Sequence, residues 1–198
     1  LVAGIDLVQW QLRVAAGEPL PFGQEDLAPS GHAIECRITS EDPANGFLPS
    51  TGRIETLAIP SGPGVRWDGG IAEGYEVGLY YDPLLGKLIV HAGDRAAAIA
   101  RMRRALRELH VVGVDTSIAF HERVLDEADF QAGRIDIRYL DTHPALLEPR
   151  TDDATLPPLA VAAALLEAER RSRQAVRRIG RNAVRSAWAT PDFGSRGA

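Results

Sequence analysis

One arginine in this sequence is of a type and in a position that could stabilise negative charge. The residues Ile34, Cys36 and Ile38 alternate with Glu35 and Arg37. In a β-strand, this alternation buries the first set and directs the second set at one polar surface. A guanidinium group is a planar fork of five donors that fits a carboxylate, a phosphate or a developing oxyanion. Arg37 is therefore a candidate functional residue. The alternative is an ordinary exposed strand with an Arg–Glu pair, which is common and weak.

The second candidate is an acidic residue at the end of another predicted strand. Asp82 precedes Pro83, and the residue before a proline is sterically restricted to an extended backbone. The nearby Lys87 is not assigned a catalytic role, because a strand lysine between buried neighbours is usually a solvated side chain. From the residues alone, Arg37 and Asp82 could also be the two halves of a structural salt bridge across a sheet.

The elements around these residues predict a sheet of short antiparallel strands. Extended stretches separated by glycine, proline and aspartate turns are expected near Arg53–Ile59, Val65–Trp67, Tyr75–Tyr81 and Leu84–His91. Asp42 and its neighbours predict a tight turn after the strand that carries Arg37.

Helical spacing appears at both ends of this set of strands. Apolar residues recur with a helical period from Ile5 to Ala15 and again from Ile99 to Leu109, where Asp94 is a candidate N-cap. A further helix is expected from Thr116 to about Asp129, with Ser117 as its cap, and a closing extended segment at Ile135–Leu140. We expect an α+β fold in which an antiparallel sheet is flanked by helices.

Composition excludes several classes of function. The net charge of −5 argues against a nucleic-acid binder, although the helix after Asp94 is rich in arginine. No apolar run is long enough to span a bilayer. The single cysteine cannot form an internal disulfide, so a reducing cytoplasm is the expected location. The five histidines show no ligand spacing with Cys36 or with each other, so we expect no metal site.

The order of these segments resembles that of a known family. The stretches GHAIECRITSEDPANGFLPSTG (31–52) and YYDPLLGKLIV (80–90) are similar to the carboxy-terminal part of biotin carboxylases, the ATP-dependent components of biotin-dependent carboxylases. The similarity runs from about Gly4 to Leu140. It implies the fold of a biotin carboxylase C-terminal domain.

The resemblance also implies roles for four residues. Arg37 would stabilise negative charge on the ureido oxygen of biotin, and Asp82 would orient its guanidinium. Ile137 and Arg138 match positions that reach the adenine ring of ATP, although Arg138 replaces the usual histidine or threonine. The alternative for Ile137 is an ordinary core position. The implied cofactors are biotin on a carrier domain, together with ATP and Mg bound mainly by an upstream ATP-grasp domain.

The resemblance implies a domain order and a set of partners as well. Residues 1–20 would be a helix trailing from the ATP-grasp domain, 21–143 the biotin carboxylase C-terminal domain, 144–158 a linker, and 159–198 an alanine- and arginine-rich helical extension with a disordered end. The partners would be the ATP-grasp domain, a biotin carboxyl carrier domain and the carboxyltransferase subunit of an acyl-CoA carboxylase.

Dimerisation and catalysis both leave an alternative open. Arg66 matches a dimer-interface arginine of this family. Pro63 replaces the aromatic residue that usually stands three positions before that arginine. The chain could therefore form a homodimer through Arg66, or it could lack this interface. The chain alone is expected to be inactive, and the alternative function is a non-catalytic packing or oligomerisation module.

Overall fold

The structure is a computed structural model that describes residues 1–148, 161, 162 and 164–167. Contacts divide the chain into two units, Leu1–Pro149 and Arg150–Ala198. In the second unit, the described residues are helical. The remainder of the predicted helix and the predicted disordered end lie outside the described residues, as does the predicted linker beyond residue 148.

The first unit alternates strands and helices along the chain. The helices are α1 (Leu7–Ala15), α2 (Arg95–Glu108), α3 (Ile118–Asp126), α4 (Ala128–Gln131) and α5 (Tyr139–Thr142). The strands are β1 (His32–Thr39), β2 (Glu41–Asp42), β3 (Leu48–Pro49), β4 (Gly52–Arg53), β5 (Thr56–Ala58), β6 (Val65–Gly69), β7 (Glu76–Val77), β8 (Leu84–Ala92) and β9 (His110–Val112).

The main sheet has three antiparallel strands in the order β1-β8-β6. The remaining strands form three antiparallel pairs, β2 with β3, β4 with β7, and β5 with β9. Helix α2 packs on the main sheet through β8 and β1. The predicted α+β fold, an antiparallel sheet with flanking helices, is confirmed.

The main core lies between this sheet and α2. On β1, Ile34, Cys36 and Ile38 are buried while Glu35 and Arg37 are exposed, as the alternation in the sequence predicts. The buried side chains of α2 that meet them are Ala98, Ile99, Met102, Ala105 and Leu106. Burial of these apolar side chains stabilises the sheet in one orientation, because a slip of one residue would exchange its two faces.

A second, smaller core lies on the other face of the sheet. It contains Ile54, Val77 and Leu85. Since side chains alternate along a strand, Leu85 of β8 shares its face with Lys87 and not with the main core. The small core therefore borders the polar surface that carries Arg37.

Two predicted strands are wrong in part. Of Tyr75–Tyr81, Glu76 and Val77 alone form a strand. The segment Ile135–Leu140 is not extended, because the carboxylate of Asp136 accepts the backbone N–H of Arg138 at 2.8 Å and turns the chain into α5. Side-chain bonds of aspartate to nearby N–H groups compete with strand pairing in this way.

Helix α1 (Leu7–Ala15) lies within the stretch Ile5–Ala15 for which the sequence predicts a helix, and it begins two residues later than predicted. Asp6 caps it by accepting the N–H of Gln9 at 2.9 Å. Its apolar residues Leu7, Val8 and Leu12 are all exposed.

Across the described ranges, we find no helix with the length and apolar character needed to span a membrane.

Candidate functional site

The polar face of the main sheet carries two rows of side chains across its three strands. Arg37 on β1 lies opposite Lys87 on β8, which lies opposite Asp68 on β6. The neighbouring row joins Glu35, Ile89 and Arg66 in the same way. Cross-strand neighbours on one face are close enough to interact. These rows therefore place three cations and two carboxylates together.

The two carboxylates of this face are engaged by the cations other than Arg37. Asp68 accepts two hydrogen bonds from Arg66, at 2.8 Å from Nε and 2.5 Å from Nη2, and this contact holds the pKa of Asp68 below its ordinary value. Glu35 lies 3.9 Å from Nζ of Lys87. The part of the chain that the structure describes offers no ionic or hydrogen-bonding partner to the guanidinium of Arg37. Arg37 is thus an exposed cation available to an external anion.

The carboxylate of Asp82 does not form the predicted direct contact with Arg37. Its Oδ1 accepts the backbone N–H of Leu84 at 2.8 Å, and no ion pair joins Asp82 to Arg37 within residues 1–148. The two residues nevertheless lie at the same end of the β1–β8 pair. Thr39 lies opposite Leu84, and Ser40 donates its N–H to the carbonyl of Pro83 at 2.8 Å. Asp82 immediately precedes Pro83 in the chain.

The backbone of Arg37 is held by two residues that sequence reasoning missed. The carbonyl of Arg37 accepts hydrogen bonds from Nε2 of His121 at 2.8 Å and from Oγ of Ser117 at 3.2 Å. Ser117 stands at the N-cap position of α3 but makes no capping bond with its side chain, so the predicted cap is wrong. Its hydroxyl is used by β1, and these contacts span 80 or more residues.

Burial controls the protonation of His121. Desolvation lowers the pKa of its imidazole, and the bond to the carbonyl of Arg37 opposes this effect without reversing it. The neutral imidazole must carry its hydrogen on Nε2, because a carbonyl oxygen can only accept.

Ile137 and Arg138, the predicted nucleotide contacts, lie on an exposed turn before α5. The side chain of Ile137 is fully exposed (103%), so it is not a core residue of this chain. The Arg138 side chain is 74% exposed and lies 3.9 Å from Asp136. Both side chains are therefore accessible to a ligand or to another domain.

Four polar residues hold the ends of this turn together. The hydroxyl of Tyr139 donates to Glu127 at 2.5 Å, and Nε2 of His143 lies 3.3 Å from Asp129. Nδ1 of His143 donates to the carbonyl of Tyr139 at 2.8 Å, which raises the pKa of His143, as do the nearby carboxylates. The pKa of Glu127 is lowered, mainly by the hydrogen bond from Tyr139.

One ligand atom from each of Glu127, Asp129 and His143 lies within 4.8 Å of the others, close enough to hold a metal ion. Hydrogen bonds already engage these three side chains. The arrangement therefore supports a polar network that fixes the turn, and the absence of a metal site stays a prediction.

The chain is similar in sequence to proteins of one known family. The family "Biotin carboxylase C-terminal domain" matches residues 35–142. The chain is 47% identical over 141 residues to the biotin carboxylase of Haemophilus influenzae, covering 71% of this chain and 31% of that protein. It is 43% identical over 143 residues to a pyruvate carboxylase component of Methanothermobacter thermautotrophicus, covering 72% and 29%.

A solved structure shares the fold. It is the biotin carboxylase domain dimer of the Hydrogenobacter thermophilus 2-oxoglutarate carboxylase, in complex with MgADP, ADP and bicarbonate. It superposes with a TM-score of 0.71 at 43% identity, covering 76% of this chain and 33% of that one. The chain thus spans about a third of the length of the relatives it matches. It belongs to the biotin carboxylase C-terminal domain family.

Proposed function

We propose that this chain is the C-terminal part of an ATP-dependent biotin carboxylase, which carboxylates carrier-bound biotin with bicarbonate. The observation that carries the proposal is the exposed guanidinium of Arg37, without a partner among the described residues, on a face where both neighbouring carboxylates are engaged. Family membership and the carboxylase names of the relatives support it.

Arg37 supplies the electrostatic part of this reaction. Biotin on its carrier would supply a ureido nitrogen that exchanges its proton for the carboxyl group of ATP-activated bicarbonate, and Arg37 would face the ureido oxygen, where negative charge develops as that proton leaves. A fixed, charged donor at that oxygen lowers the barrier where charge develops. The open sheet face leaves the guanidinium of Arg37 able to reach an incoming ligand. Burial of the β1 residues Cys36 and Ile38 anchors this strand in the core.

Asp82 is proposed to orient this guanidinium in the complete enzyme. The hydrogen bonds between Ser40 and Pro83 place the Asp82 segment at the same end of the sheet as Arg37. The bond from Leu84 uses Oδ1 of Asp82, so Oδ2 is available for a charge-assisted hydrogen bond.

The nucleotide is proposed to lie against the turn that carries Ile137 and Arg138. Exposure of both side chains fits this role, since an aliphatic side chain can pack on a purine ring. ATP and Mg would be held mainly by an ATP-grasp domain, and the exposed apolar residues of α1 would face that domain.

Further partners are proposed on the same basis. They are a biotin carboxyl carrier domain, a carboxyltransferase subunit, and a second copy of the chain contacting Arg66. We propose an acyl-CoA as the final acceptor, although relatives named for pyruvate and 2-oxoglutarate make these two compounds the necessary comparison. The cytoplasmic location stays a prediction.

The test is the reaction itself, measured on the complete protein in which this chain is joined to its ATP-grasp domain. We expect ADP formation that requires both bicarbonate and free biotin, with radiolabel from bicarbonate appearing in carboxybiotin. Adding the carboxyltransferase with acetyl-CoA, propionyl-CoA, pyruvate or 2-oxoglutarate then identifies the acceptor. Absence of biotin-dependent ADP formation and of labelled carboxybiotin would contradict the proposal.

A further inference from the structure

The strand that carries Arg37 lies at an edge of the main sheet. β1 pairs with β8 on one side alone in this sheet, so its other side presents backbone N–H and C=O groups that need partners. Ser117 and His121 supply these partners over Arg37 and Thr39. Both residues come from α3 and its N-terminus, far away in the sequence.

Ser117 forms hydrogen bonds to β1 like those that a residue of a neighbouring strand would form. Its backbone N–H donates to the carbonyl of Thr39 at 3.1 Å, and its hydroxyl accepts the N–H of Thr39 at 3.0 Å. The same hydroxyl donates to the carbonyl of Arg37 at 3.2 Å. Ser117 is 3% exposed, so water does not compete with these bonds.

These contacts occur where the ladder to β8 is irregular. The pairing of β1 with β8 shifts its register between Ile38 and Thr39, one residue beyond Arg37, where Leu85 of β8 has no opposite residue. An extra residue of this kind disrupts the ladder locally and bends the strand that carries it, here β8. The hydrogen bonds from Ser117 and His121 lie at this point and act from the opposite side of the strand.

We propose that Ser117 and His121 are positioning residues for Arg37, fixing the peptide unit from which its guanidinium projects toward the ureido oxygen of biotin. The inference rests on the proposed function. Neither residue touches the ligand, and both act through the Arg37 carbonyl. A shift of about 1 Å in a group that acts on a transition state can cost as much as 100-fold in rate, and two hydrogen bonds to one carbonyl restrain such a shift.

The test compares variants in the complete enzyme in two backgrounds, wild-type and Arg37→Lys. His121→Leu replaces the imidazole donor with an apolar side chain of similar size, and Ser117→Ala is a smaller change that removes only the hydroxyl. His121→Gln restores an amide donor. His110→Leu, an exposed histidine on β9, is the control.

We expect His121→Leu and Ser117→Ala each to lower kcat for biotin-dependent ADP formation roughly 10-fold, with KM for ATP unchanged. His121→Gln should recover most of the rate, and His110→Leu should match wild type. The Arg37→Lys background has already lost the guanidinium group. In that background, neither His121→Leu nor Ser117→Ala should lower the residual rate of ADP formation further.

Two outcomes overturn the inference without touching the proposed function. The first is a wild-type kcat in both His121→Leu and Ser117→Ala. The second is an equal fold-decrease in kcat in the wild-type and Arg37→Lys backgrounds, which would show a structural role independent of Arg37. A wild-type kcat in Arg37→Lys alone is a different result. It would remove the proposed role of Arg37, and the positioning role would fall with it.

Discussion

Ser40 joins the end of β1 to the segment that carries Asp82. Its backbone N–H and its hydroxyl both donate to the carbonyl of Pro83, at 2.8 Å and 3.2 Å. Because Arg37 lies three residues before Ser40 and Asp82 lies one residue before Pro83, this contact brings the two candidate residues to one end of the sheet. Their side chains remain separate in this structure, each exposed.

The first prediction separates the charge of Asp82 from its local structural role. Asp82→Asn keeps an oxygen that can accept the N–H of Leu84, whereas Asp82→Ala removes it. We expect both variants to lower kcat of the complete enzyme about 10-fold, since both lose the negative charge that we propose orients Arg37. Asp82→Ala alone should also lose about 1 kcal/mol of unfolding free energy. Full activity in Asp82→Asn would show that the charge is not needed.

The second prediction concerns the contact between Gly86 and Trp67. A Cβ added at Gly86 would collide with the indole ring of Trp67 and would lie 3.0 Å from Cα of Gly69. We expect Gly86→Ala to cost about 1–3 kcal/mol of unfolding free energy, as overpacking does. Gly93→Ala, where the added carbon meets no atom within 4 Å, is the matched control. Equal denaturation midpoints for the two variants would contradict this packing.

The third prediction concerns the reactivity of Cys36. Burial raises the pKa of its thiol to about 12, with a smaller contribution from Glu35, and its side chain is 5% exposed. The thiolate is the reactive form, so alkylation by iodoacetamide at pH 8 should be at least 10³-fold slower in the native protein than in 8 M urea. Mass spectrometry after timed quenching measures both rates. Complete labelling of the native protein within minutes would exclude a buried thiol.

The fourth prediction is an order of two histidine pKa values. His143 bonds to a carbonyl and faces carboxylates, which raise its pKa, whereas burial lowers the pKa of His121. An NMR titration of the imidazole signals should therefore show His143 titrating at a higher pH than His121. Asp129→Asn should lower the pKa of His143 and leave that of His121 unchanged. The reverse order would contradict both environments.

Stability should depend on pH with opposite signs at these two sites. For His143, the folded pKa exceeds the unfolded value of about 6.5, so its contribution is complete below that pH and is lost as pH rises through the folded pKa. For His121, the folded pKa is the lower one, so stability decreases as pH falls below about 6.5. Between pH 7.5 and pH 5.5, the melting temperature of His121→Gln should therefore decrease less than that of the wild type.

Sequence reasoning located the elements that depend on local signals. The alternation around Arg37 fixes which side chains of β1 are buried, and Asp94 caps α2 by accepting the N–H of Ala97 at 2.8 Å, as predicted. Local bonds also explain a failure. Asp136 turns the chain into α5 where a strand was predicted.

Long-range contacts could not be predicted in the same way. Ser117 and His121 meet Arg37 across 80 and 84 residues, and no spacing in the sequence indicates this. The engagement of Glu35 by Lys87 depends on strand order, which sets the neighbours of each side chain, whereas Asp68 is engaged by Arg66 of the same strand. The availability of Arg37 follows from that order.

The catalytic role of Arg37 is tested by the turnover of Arg37→Ala in the complete enzyme. We predict that biotin- and bicarbonate-dependent ADP formation falls about 10³-fold, as for loss of one charged donor at a developing oxyanion. The melting temperature should be unchanged, because the side chain is exposed. Arg107→Ala, an exposed arginine on α2, should retain wild-type turnover. Wild-type turnover in Arg37→Ala would show that Arg37 is not catalytic and would favour a non-catalytic packing module.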